Sequence, residues 1–174
     1  MTSDPVLLLC WGNPARQDDG LGIAFAEACR QADLPGVVLE VDYQPNVEQA
    51  AELARCRYAV CVDAAVSGRE PFGFWPLRPR GAAMTFSTHR VEPEFLLAMA
   101  ASCFGRAPEA YSLGIRGYRF GRFEEGLSAR ARDNLAAALA FLLPVIETRS
   151  FAQAAAELQA AAPDGGERWK TGST

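Results

Sequence analysis

The chain has 174 residues, of which 49% are apolar and 22% charged, with a formal net charge of -4. That length fits one domain that buries about two-thirds of its unfolded surface, and the acidic balance argues against nucleic acid as a partner. The apolar runs VLLLCW and LAAALAFLLPVI are too short for a membrane span or are interrupted by Pro144, so no membrane association is expected.

The opening stretch MTSDPVLLLCWGN has no basic region and no cleavage-type site, and the expected location is the cytoplasm. Five scattered cysteines, Cys10, Cys29, Cys56, Cys61 and Cys103, form no CxxC pair. They read as small buried hydrophobes in a reducing compartment.

In chain order, Val6 to Trp11 is a continuous apolar run ending in Gly-Asn, the pattern of a strand buried on both faces. LGIAFAEACRQA then carries apolar residues at helical spacing and closes near Leu34-Pro35-Gly36. The unit repeats, with a strand in VVLEVDY, a helix in VEQAAELARC and a strand in YAVCVDAA. GFWPL reads as a short strand at a sheet edge, because Pro76 has no N–H to give to a ladder.

A helix follows from Pro93 to Phe104, with proline suited to the first turn, and then a strand in AYSLGIRG. The last long amphipathic helix runs from Leu127 to Ile146, opened by Ser128 or a neighbour as its cap. AQAAAELQAAA continues as a polar-faced helix, and PDGGERWKTGST is expected to be disordered. The alternation predicts an α/β fold, a twisted and mostly parallel sheet of about five strands, in one domain over 1–147 with a C-terminal extension over 148–174.

In such a sheet, ligands bind outside the carboxyl ends of the strands. The first strand exits into GNPARQDDG, the third ends at Asp63, and the fourth is followed by FSTH, which contains His89, the chain's one histidine. Asp18 and Asp19 stand where one carboxylate would cap a helix, but adjacent carboxylates repel, so the second needs another reason, such as a cation. Two carboxylates and an imidazole suit a divalent transition ion such as nickel or zinc with positions left open for water or substrate. The sequence has no GxGxxG, GKS/T, HExxH or GxSxG, which argues against a nucleotide cofactor and the familiar hydrolase signatures.

Taken together, GNPARQDDGLG after the first strand, the strand-end acid of VCVDAA, the histidine of STHRVEP and the later SLGIRGYRFGRFEEGLS resemble the hydrogenase maturation endopeptidases over roughly residues 6–147. The resemblance implies a three-layer α/β/α sandwich and a peptidase that removes the C-terminal extension of a nickel-loaded [NiFe] hydrogenase large-subunit precursor. It implies metal contact, and with it catalysis, by Asp19, Asp63 and His89, with Gly12, Asn13 and Asp18 in support. The nickel would arrive with the substrate protein.

Pro14-Ala15 and Arg116-Gly117 depart from the commoner forms, and look more like members serving cytoplasmic NAD-reducing hydrogenases. The rival reading is a non-catalytic metal chaperone or binding module that uses the same three residues.

Overall fold

A computed structural model describes residues 5–80 and 91–161. Its centre is a single sheet of five strands: β1 (Val6–Trp11), β2 (Val37–Asp42), β3 (Tyr58–Ala65), β4 (Phe72–Leu77) and β5 (Glu109–Arg116). Their spatial order is β2-β1-β3-β5-β4. β2, β1, β3 and β5 run parallel, and β4 pairs antiparallel with β5 at one edge.

Every residue of β1 is buried, because the strand is central and covered on both faces. Val6, Leu8 and Cys10 join one apolar cluster, and Leu7, Leu9 and Trp11 join the other, as the two-residue period of a strand requires. The first cluster packs against helices α1 (Leu21–Ala32), α4 (Ala129–Thr148) and α5 (Phe151–Ala160). The second packs against α2 (Gln49–Leu53) and α3 (Pro93–Phe104). The expected three-layer α/β/α sandwich is therefore present.

The helix expected in VEQAAELARC is short, running only from Gln49 to Leu53, after Asn46 accepts from the Gln49 amide at 3.3 Å through its Oδ1. α5 is docked on the main core, with Phe151 fully buried and its ring centroid 5.0 Å from that of Tyr58. Burying one such side chain is worth roughly 1.5–3 kcal/mol. The segment PDGGERWKTGST lies outside the described residues.

α1 is seated directly on the ends of the two central strands. A Cβ placed on Gly22 would lie 2.1 Å from the Trp11 carbonyl oxygen and 2.9 Å from that of Val62, so only glycine lets the helix start this close to the sheet. The loop ahead of α1 is thereby held over the carboxyl edge of β1 and β3.

Candidate active site at the carboxyl edge

β1 delivers the chain to Gly12, whose φ of 146° is open to glycine and strained for other residues. A Cβ there would stand 2.1 Å from the Asp19 carbonyl oxygen. This close approach lets the next amide, Asn13 N–H, donate to both the Asp19 carbonyl (3.1 Å) and its Oδ2 (3.2 Å). Asn13 Oδ1 in turn accepts from the Ala15 amide at 3.0 Å, closing the turn, and the Asp19 amide donates to the Arg16 carbonyl at 3.2 Å. Gly12 and Asn13 thus fix Asp19, which is 4% exposed, by backbone contacts.

Asp18 and Asp19 lie in a 3₁₀ turn, Gln17–Gly20, that leads into α1, yet neither side chain caps α1. Asp18 is completely buried and faces the other way. Its Oδ2 accepts from the amides of Tyr118 (2.8 Å) and Arg119 (2.9 Å) and from Ser128 Oγ (2.8 Å), while Oδ1 accepts from the Ser128 amide (2.7 Å).

Of the positions the sequence left open, Ser128 is the cap of α4, with its Oγ accepting from the Ala131 amide at 3.3 Å. Asp18 therefore places its charge at the positive end of α4, more than a hundred residues away in sequence, and four donors offset the cost of burying it. Gly117 is required alongside, since a Cβ there would meet Asp18 Cβ at 2.9 Å.

The same loop is clamped twice more. Gln17 donates from its amide to the Glu124 carbonyl and from Nε2 to Glu124 Oε2, both at 2.9 Å, and Asn134 Nδ2 donates to the Arg116 carbonyl and to Tyr118 Oη, both at 2.9 Å. Sequence reasoning did not assign Ser128, Gly117, Gln17 or Asn134 to this support. The available signal was SLGIRGYRFGRFEEGLS, singled out as a block without its partner being known.

Asp63 stands at the carboxyl end of β3, beside the end of β1 and opposite Gly114 of β5, and is 5% exposed. Its Oδ1 accepts from the Ala64 amide at 2.8 Å. Strand alternation puts it on the face of Leu9, Trp11 and Cys61, with the 3₁₀ turn of Asp19 packed against β3. The two acids expected at the carboxyl edge are therefore both on it and both held there by backbone contacts.

His89 lies outside the described residues. Contrary to the expectation that the fourth strand exits at the carboxyl edge, β4 is antiparallel, its last residue Leu77 pairs with Ala110 near the start of β5, and the chain leaves β4 at the opposite edge. From there it returns toward α3, where the Arg80 amide donates to the Glu94 carbonyl at 3.1 Å. Among the described residues, no group of three or more His, Cys, Asp or Glu side chains is placed to hold a metal ion.

Three buried thiols lie in the apolar clusters on either side of the sheet. Burial pushes Cys10 and Cys61 well above the ordinary thiol range and Cys29 up to about 11, so all three are protonated and serve as packing.

No protein-family model matches the chain, and neither does any curated protein sequence. Solved structures do. The hydrogenase maturating endopeptidase HybD from E. coli is 20% identical with a TM-score of 0.63, over 83% of this chain and 93% of that one. The [NiFe] hydrogenase maturation protease HycI from Thermococcus kodakarensis KOD1 is 22% identical with a TM-score of 0.62, over 83% and 93%. A hydrogenase 2 maturation peptidase from a Thaumarchaeota archaeon is 22% identical with a TM-score of 0.59, over 82% and 97%. The chain has the fold of the solved hydrogenase maturation endopeptidases, over nearly their whole length.

Proposed function

We propose that the chain is an endopeptidase that removes the C-terminal extension of a [NiFe] hydrogenase large-subunit precursor. The observation that carries this reading is a fold shared with such endopeptidases together with two buried carboxylates, Asp19 and Asp63, fixed by backbone contacts at the carboxyl edge of adjacent strands.

In this reading nickel is part of the substrate. Asp19 and Asp63 offer oxygen ligands, and His89 an imidazole, to the open coordination positions of a nickel ion carried by the precursor. Docking through the ion brings the scissile peptide bond to the carboxyl edge. A water oxygen then attacks the peptide carbonyl carbon, the C–N bond breaks, and the proton released from water goes to the leaving amine. An empty precursor gives the carboxylates nothing to hold, so cleavage depends on loading.

Pro14-Ala15 and Arg116-Gly117 both lie at this edge: Pro14 Cα would sit 2.9 Å from a Cβ on Gly20, and Arg116 ends β5. On them rests the proposal that the precursor belongs to a cytoplasmic NAD-reducing hydrogenase. The four buried cysteines and Cys103 are all free thiols, which suits a reducing compartment such as the cytoplasm.

Incubation with nickel-loaded and nickel-free precursor, followed by intact-mass measurement, tests the reading. The loaded precursor is expected to lose the mass of its extension and the empty one to stay whole. Equal cleavage of both, or of neither, sinks it. Stable nickel binding by the chain alone with every precursor intact would establish the metal-chaperone reading instead.

A further inference from the structure

The two edges of the sheet are finished differently. β4 carries Pro76 and is packed against α5. β2 has no proline, glycine or lysine over VVLEVD, and no described strand pairs with its outer side. It is also the one described strand without a buried residue, with Val38 and Val41 42% and 41% exposed. An open edge of this kind is a template for another extended chain.

Backbone directions identify the free groups. The Gly36 and Asp42 carbonyls accept from Val6 and Gly12, so even-numbered residues of β2 point their amides toward β1. By the two-residue period, the N–H and C=O of Leu39 and Val41 point outward. The side chains around this edge are apolar and mainly acidic: Val38, Val41, Tyr43 and Val47 are exposed, and burial first, then Glu52, itself paired with Arg55, and Asp42, raise the Glu40 carboxyl above its usual range.

We infer that the β2 edge docks an extended, lysine- or arginine-bearing segment of the precursor as a sixth strand, which delivers it to the carboxyl edge. A second copy of this chain would bring the same acids against Glu40 and Asp42, so charge selects a basic strand over self-pairing. Position selects the precursor: β2 ends at Asp42, whose carbonyl holds Gly12, the residue on which Asp19 rests. The choice of the precursor as occupant rests on the function proposed above.

Amide exchange and kinetics test it on the full chain. A synthetic peptide of alternating valine and lysine is expected to slow exchange at Leu39 and Val41 by about tenfold or more, and its glutamate counterpart to leave it unchanged. With nickel-loaded precursor, Val41→Pro removes an outward amide without touching a bond to β1 and is expected to raise KM about tenfold with kcat within about twofold. Glu40→Lys is expected to raise KM in the same direction, and Val41→Thr, which keeps the amide, to leave it near wild type.

Equal protection by both peptides, or by neither, overturns the inference even if no precursor is ever cut; unchanged KM in both Val41→Pro and Glu40→Lys overturns it where cleavage is seen. Protection that needs no partner also overturns it, assigning the edge to a second copy if it grows with protein concentration, or to the chain's own ERWKT segment if it vanishes on deleting 162–174.

Discussion

Asp18 and Asp19 are the same residue type, one peptide bond apart and almost equally buried, yet they are tied to different parts of the chain. Asp18 spends both oxygens on four donors from the loop after β5 and the start of α4. Asp19 is held through Gly12 and Asn13, with its carbonyl and its Oδ2 both accepting from Asn13 N–H. A carboxylate saturated with donors inside the protein is a structural cross-link. Asp19 lies instead at the strand edge, and in the function proposed above the pair divides support from chemistry within one turn.

The sharpest break of this division is to neutralise each acid in turn. Asp19→Asn keeps the shape and the Asn13 contact, so it is expected to leave unfolding free energy within about 1 kcal/mol of wild type. Cleavage of nickel-loaded precursor should fall about a thousandfold, some 4 kcal/mol of barrier, and an unimpaired rate would remove Asp19 from the site.

Asp18→Ala should show the reverse weighting. It leaves the Tyr118, Arg119 and Ser128 donors buried and unanswered, for a loss of about 3–5 kcal/mol in denaturant unfolding. Stability near wild type would mean the four bonds carry no net weight.

Gly12→Ala probes the contact that separates the two roles. Its methyl group would meet the Asp19 carbonyl at 2.1 Å in a backbone conformation unfavourable for alanine, so the turn must shift. The expected cost is about 2–3 kcal/mol of stability, with a cleavage defect that persists in the fraction still folded. A stable Gly12→Ala protein with full activity would show that Asp19 does not depend on this close approach.

The central strands, α1, α3 and a cap at or beside Ser128 were legible because each rests on local pattern: continuous apolar runs, helical spacing, a proline in a first turn, a capping residue type ahead of a helix. Asp63 was legible for the same reason, as the acid that interrupts an apolar strand at its carboxyl end. The direction of β4 was not, because a short edge strand takes its direction from its partner, and nothing within GFWPL distinguishes parallel from antiparallel pairing. Nor was the partner of Asp18. The sequence showed that two adjacent acids needed separate reasons, but the donors lie 100 to 110 positions away, beyond the reach of any periodicity.

Ser128→Ala gives the smallest and most specific test of that long-range link. The hydroxyl joins two bonds, donating to Asp18 Oδ2 at 2.8 Å and accepting from the Ala131 amide at 3.3 Å, while the Ser128 amide bond to Oδ1 survives the change. If Ser128 were only a helix cap, its loss would cost about 1 kcal/mol whether or not Asp18 is present. If it is also a donor that helps Asp18 bear its charge, the cost rises to about 2 kcal/mol and shrinks in an Asp18→Ala background. A double-mutant cycle by chemical unfolding reads the difference directly. A coupling energy of at least about 0.5 kcal/mol is expected between positions 18 and 128, and a smaller one between 19 and 128, since Asp19 bonds to Asn13 and Arg16 rather than to Ser128 through its carbonyl, Oδ2 and amide.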